Sequence, residues 1–193
     1  MMLLSDVAAL GQTYPGLSQA HRGLVPAGRA RLSQTRLRQL VSTVAAQPDS
    51  WGELVRFEAG RRWYRRLELA EDREVWLLSW LPGQGTGFHD HGLAAGAFAV
   101  AQGRVRERTV VAGPRPARPR IVADGTGLLR QRTVAAGGIR SFGAQYVHDV
   151  ANAFAEPAVT VHAYSPPLTA MRRYELTESG LVHTATARAE QDW

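Results

Sequence analysis

PGQGTGFHDHGLAAGAFAVAQG, residues 82–103, sets two histidines one residue apart and follows them with small apolar residues where a further polar group would be expected. On a β-strand the side chains at i and i+2 share a face, so His89 and His91 point the same way while Asp90 points opposite. Two imidazoles converge and the carboxylate between them does not. His148 follows in YVHDVAN and His162 in AVTVHAY, so that four of the six histidines fall in strand-like segments. A lone strand histidine is commonly a hydrogen-bonded structural residue. A His-x-His pair with a third strand histidine points instead to a metal site. His21 and His183 lie in the terminal regions and are read as ordinary polar residues.

The chain around this stretch changes its periodicity once. In SQTRLRQLVSTVAAQPDSW, Leu37, Leu40, Val41 and Val44 follow the spacing of one apolar helix face, and Pro48 marks its end. From residue 61 onward, short runs that alternate or are wholly apolar are separated by Gly and Pro: RRWYRRLEL, EVWLLSWL, AGAFAVA, RVRERTVV, LLRQRTV, YVHDVAN, AVTVHAY and RRYEL. Regularly spaced strands of this kind imply a sandwich or barrel. Gly103 is expected to form a hairpin turn between two of them, and the EDR at 71–73 another. The expected organisation is an N-terminal helical region over 1–55 packed on the barrel, the β domain over 56–176 and a C-terminal tail over 177–193.

Composition excludes several classes of function. With 193 residues the chain holds one domain with a real core, and without cysteine it can form no disulfide, thiolate metal site or cysteine nucleophile. Any metal must sit on His, Asp or Glu. The start MMLLSDVAALGQTYPG lacks a basic region, its apolar run is broken by Ser5 and Asp6, and no stretch approaches the ~18 apolar residues of a membrane span. A cytoplasmic, monomeric protein with no membrane partner is the expectation. The net charge of +6 comes from 23 arginines and no lysine, which reads as compositional bias. The sharpest basic cluster, GPRPARPR at 113–120, is Pro-rich and lacks interleaved aromatics, so no nucleic-acid binding is expected.

Two spacings carry a resemblance. Gly83, five residues, His89-Asp90-His91, four residues, Gly96, six residues and Gly103 resemble the first cupin motif at every position except its glutamate, here Gly96. Gly137, His148 and Asn152 match the second cupin motif, with Gly143 and Gln145 at its Pro and Gly positions. A cupin that loses its carboxylate ligand keeps three neutral imidazoles, which is the site of the thiol dioxygenases. With YRR before the first motif and VTVHAYSPPLTAM after the second, residues 60–176 resemble the cysteine dioxygenase type I family. The resemblance implies a single jelly-roll-like cupin barrel, all-β dominated, beneath an N-terminal helical layer. It also implies Fe(II) on His89, His91 and His148, with Tyr64 and Arg66 near the substrate carboxylate. His162 and Tyr164 would form a catalytic pair behind the ligands. In mammalian members a cysteine at the position of Gly96 cross-links to the tyrosine; here none can form, as in many bacterial members.

The chemistry follows from the residues as well. Three neutral ligands leave a bound Fe(II) with its full double charge and open positions, which favours an anion and lowers a thiol pKa so that it binds as thiolate. The same donor set suits zinc and a hydrolytic water, so ligand number does not choose the metal. The surroundings do. Arg66 offers a planar fork for a carboxylate, although an ordinary surface salt bridge is its other reading, and His162 and Tyr164 share one strand face from which a phenol can be aimed. The expected reaction joins both atoms of O2 to the sulfur of L-cysteine, giving cysteine sulfinate. The alternatives are 3-mercaptopropionate or another small thiol as substrate, the former disfavoured by Arg66, and a cupin that binds metal or a small ligand without turnover.

Overall fold

The computed structural model describes residues 31–110, 129–177 and 180–188. Residues 1–30 of the expected helical region, with His21, and the GPRPARPR segment lie outside the described residues. The chain begins with α1 (Gln34–Ala45), the short α2 (Pro48–Trp51) and one 3-10 turn, Gly52–Leu54. Eleven strands follow among the described residues: β1 (Trp63–Leu69), β2 (Glu74–Trp80), β3 (Phe88–His89), β4 (Ala95–Gln102), β5 (Arg104–Val110), β6 (Leu129–Ala135), β7 (Ile139–Phe142), β8 (His148–Ala151), β9 (Ala158–Ser165), β10 (Ala170–Thr177) and β11 (Gly180–Arg188). They form two antiparallel sheets, one ordered β1-β2-β9-β4-β7 and the other β11-β10-β3-β8-β5-β6. This is the all-β barrel with an N-terminal helical layer that the sequence implied.

Burial on both faces of the five-stranded sheet explains its composition. On β2 and β9, Trp76, Leu78, Trp80 and Tyr164 face the barrel interior with Phe98 of β4. The alternate residues Val75, Leu77, Val159, Val161 and Ala163 face outward, where α1 covers them with Leu37 and Val41. Every residue of β9 is buried for that reason. The small residues Ala97 and Ala99 of β4 admit the helix closely. Ser33 caps α1, its hydroxyl accepting from Arg36 N at 3.3 Å. Leu37 and Val41 are fully buried, so each contributes roughly 1.5–3 kcal/mol to holding the helix down. A charge at residue 41 would detach it.

Two sequence expectations are corrected by the sheet topology. Gly103 is not a hairpin turn: β4 and β5 belong to different sheets, and the glycine is the corner where the chain crosses between them. It has φ of 71°, and a Cβ there would lie 2.5 Å from the Pro157 carbonyl oxygen, so both backbone conformation and space call for glycine. The C-terminal stretch expected to be a tail contains β11, paired along its length with β10. The turn at 71–73 does join β1 to β2, closed by Ala70 N donating to Arg73 O at 2.8 Å. Gln145, at the glycine position of the second motif, adopts φ of 68°, so the turn keeps its left-handed backbone with a different residue.

Candidate metal centre

The interior end of the six-stranded sheet brings three histidines together. His89 of β3 lies directly opposite His148 of β8, and directly opposed residues of an antiparallel pair share a face. His91, two residues beyond His89, turns toward the same point, and one ligating nitrogen from each ring lies within 4.8 Å of the others. Asp90 points away, as alternation requires. Its carboxylate accepts from Tyr174 Oη at 2.7 Å and from Gly92 N at 3.0 Å, and pairs with Arg172 Nη2 at 2.8 Å. The HDH stretch thus presents imidazoles inward and clamps itself to β10 with the residue between them.

The ring nitrogens of the three differ in what holds them. His89 Nδ1 lies 3.0 Å from Gly87 O, and His148 Nδ1 lies 3.1 Å from Glu107 Oε1, which leaves Nε2 of each ring toward the centre. Both nitrogens of His91 are buried with no hydrogen-bond partner among the described residues. A buried imidazole with two orphaned nitrogens is costly, and a coordinated cation removes that cost. Burial, followed by the proximity of the other imidazoles, pushes His89 and His91 well below the ordinary histidine range, so both are neutral donors at pH 7. The donor set therefore fits a divalent transition metal.

Glu107 is a part of the site that sequence reading missed. It is fully buried on the inward face of β5, where Oε2 accepts from Arg140 Nε at 2.9 Å and Oε1 from Tyr146 Oη at 3.3 Å. Burial alone would raise its pKa, but the His148 hydrogen bond and the Arg140 charge outweigh it and hold the carboxyl below its usual range. As an acceptor it fixes the His148 proton on Nδ1. The signal in sequence was an acid at an inward position of RVRERTVV, between Val105 and Thr109.

The inner face of β9 adds a chain of polar contacts. Trp80 Nε1 donates to Thr160 Oγ1 at 2.9 Å, Thr160 Oγ1 lies 2.8 Å from His162 Nε2, and His162 Nδ1 lies 3.3 Å from Tyr164 Oη. Trp80 leaves the Thr160 hydroxyl proton free to go to His162 Nε2, an arrangement that puts the ring proton on Nδ1, facing the phenol oxygen. Burial pushes the Tyr164 phenol up and the His162 ring down, so the first stays protonated and the second neutral.

A cavity of about 30 Å³ opens beside His89 and His148, lined also by His162, Tyr164, Arg62 and Arg173 and walled by Trp76, Leu78, Val150 and Met171. Its size restricts it to small ligands. Neither arginine was singled out from the sequence. The Arg62 guanidinium lies over Trp80 at 4.9 Å, its Nε is buried with no hydrogen-bond partner among the described residues, and burial lowers its pKa to about 10. The sequence-selected Arg66 is not among the lining residues. It packs over Trp76 at 5.4 Å, 4.0 Å from Glu74 and one-third exposed. Tyr64 also lies outside the lining and meets Trp76 edge-on at 5.9 Å. His183 is remote from the centre, its Nε2 3.0 Å from Thr186 Oγ1.

The chain is 25% identical over 142 residues to cysteine dioxygenase type 1 of Danio rerio, an overlap of 72% of this chain and 68% of the relative. Solved structures with a similar backbone include a protein of Thermus thermophilus, with a TM-score of 0.48 and 20% identity over 60% of this chain and 93% of that one. Another is a double-stranded β-helix protein of Klebsiella pneumoniae, with a TM-score of 0.47 and 19% identity over 69% of this chain and 93% of that one. The family model for cysteine dioxygenase type I matches residues 18–177, and the chain belongs to that family.

Proposed function

We propose that the protein oxidises a small thiol carboxylate with O2 to the sulfinate, L-cysteine being the first-choice substrate, at an Fe(II) ion held by His89, His91 and His148. The observation that carries the substrate class is Arg62: a half-buried guanidinium whose Nε is buried without a partner among the described residues, lining the same small cavity as two of the three histidines. A bound carboxylate supplies the missing acceptor and the missing countercharge together. Arg62, rather than Arg66, is therefore assigned to the substrate carboxylate, with Arg173 adding to the positive potential. Fe(II), when bound, supplies the redox chemistry that joins both atoms of O2 to sulfur, RS⁻ + O2 giving RSO2⁻. The apolar wall of Trp76, Leu78, Val150 and Met171 keeps water from the reacting sulfur. Tyr164, protonated at neutral pH and held by His162, offers a hydrogen bond at the cavity edge.

One observation favours a second substrate. Among the described residues the cavity lining contains no carboxylate, so a substrate ammonium would have no acidic partner in the protein. 3-Mercaptopropionate, which has the thiol and carboxylate but no amine, satisfies the same side chains. Oxygen uptake by the Fe(II)-loaded protein with cysteine, 3-mercaptopropionate and cysteamine in parallel tests both readings. Uptake with one or both carboxylate thiols and little with cysteamine is expected. No uptake with any of the three by protein holding stoichiometric iron would make the chain a metal-binding cupin without this activity.

A further inference from the structure

Strand register sets three residues side by side across the inner face of the five-stranded sheet. Gly96 of β4 is opposite Tyr164 of β9 on one flank and Phe142 of β7 on the other. A Cβ at Gly96 would lie 2.4 Å from Phe142 Cε2 and 3.0 Å from Tyr164 Cδ1, so both rings lean over a position that only glycine leaves open. His91 stacks on each of them, on Phe142 with centroids 4.8 Å apart and planes 24° apart, and on Tyr164 at 4.9 Å and 30°. Tyr146 backs Phe142 at 5.1 Å and 9°. His89 and His148 are oriented by hydrogen bonds at Nδ1, whereas among the described residues neither nitrogen of His91 has such a bond.

We propose that Gly96 and Phe142 are positioning residues of the metal centre. The slot formed by Phe142 and Tyr164 over Gly96 holds the His91 ring in its ligating orientation, doing by stacking what Gly87 and Glu107 do for the other two ligands. The Phe142 ring fills space next to the position at which the first cupin motif carries a glutamate, so loss of that side chain and gain of the slot are one arrangement. A methyl group at residue 96 displaces the ring tips, and His91 then loses the walls that set its plane. Aromatic stacking requires a flat partner, so leucine at 142 preserves apolar volume without preserving the slot.

The proposal rests on the three histidines being a metal centre, and its test separates the two ideas. Metal-free wild type, Gly96→Ala, Phe142→Leu and the double variant are titrated with Co(II), followed by visible absorption, with melting of each metal-free protein measured in parallel. Each single variant should remain folded at the titration temperature, bind Co(II) ~10- to 100-fold more weakly and show a shifted absorption band, as for loss of other ligand-orienting partners. The double variant should lose less than the sum of the two single losses, because both substitutions act on the one slot that holds His91. Wild-type affinity and spectrum in both single variants would overturn the proposal, and so would losses that merely add in the double variant. Failure of the wild type to bind Co(II) would overturn the metal reading and this one with it.

Discussion

Replacing Arg62 by leucine should move stability and substrate affinity in opposite directions. Burial lowers the guanidinium from the ordinary arginine value to about 10, which corresponds to roughly 3 kcal/mol against the charged form in the folded protein. Leucine removes that cost but also the contact over the Trp80 ring, worth about 1–2 kcal/mol when desolvated. A net gain of about 1–2 kcal/mol remains, or a rise of roughly 2–8 °C in the melting temperature for a chain of this size. The gain applies below pH ~10. Above it the wild-type folded state holds fewer protons than the unfolded state, so wild-type stability rises with pH and the gap closes. Removing one partner of a buried charge pair costs roughly 2–5 kcal/mol, so the KM for a carboxylate thiol should rise about 30- to 5,000-fold. Cysteamine should be affected little, and Arg66→Leu should change the carboxylate-thiol KM by less than about threefold, its charge being partly exposed. Scanning calorimetry of the metal-free proteins and oxygen uptake with each thiol are the assays. A lower melting temperature with an unchanged KM in Arg62→Leu would refute the reasoning.

His148→Ala and His91→Ala should each lose most bound iron, measured after gel filtration, because three ligands leave no spare donor; stoichiometric iron in either would move the site elsewhere. Tyr164→Phe should keep iron and fold but slow oxidation ~10- to 1,000-fold, equivalent to about 1.4–4 kcal/mol, and unaltered kinetics would assign the phenol to packing. Glu107→Gln should weaken Co(II) binding by ~10- to 100-fold through its hold on His148, with wild-type affinity counting against a positioning role. Since burial keeps His89 and His91 neutral well below the usual histidine range, they should release almost no protons on metal binding between pH 6 and 8. Affinity they contribute is lost only as pH falls through those lowered values. Calorimetry in buffers of different ionisation enthalpy reads this, and release of two or more protons per ion at pH 7 would contradict it.

The histidines were legible because their chemistry and their period coincide: i and i+2 on a strand fix a common face without knowledge of the rest of the fold. The helix was legible for the same reason, its apolar residues sharing one side. What sequence could not reach depended on pairing between distant strands. Residues 62, 64 and 66 alternate onto one face, so period alone does not choose between the arginines; Arg62, just before β1, lines the cavity while Arg66 packs on Trp76. Glu107 meets His148 only because β5 pairs with β8. A glycine such as Gly103 announces a turn but not which sheet receives the next strand. The β11 sequence has few large apolar residues because it lies at a sheet edge, where Leu181 is buried and Val182 is 45% exposed, so it carries little of the signal that betrays a central strand.

Strand β9 is a shared wall. One side carries Thr160, His162 and Tyr164 into the barrel, the last two lining the cavity, and the other carries Val159, Val161 and Ala163 toward α1. The helix is consequently a brace for the polar chain, although none of its residues lies in the cavity lining. Trimming the chain to its barrel would unback that wall, turning three buried aliphatic side chains toward water and loosening the strand that carries the phenol. On heating, the first event to cost activity should be the helix lifting away while both sheets are still intact, so that inactivation precedes loss of β structure.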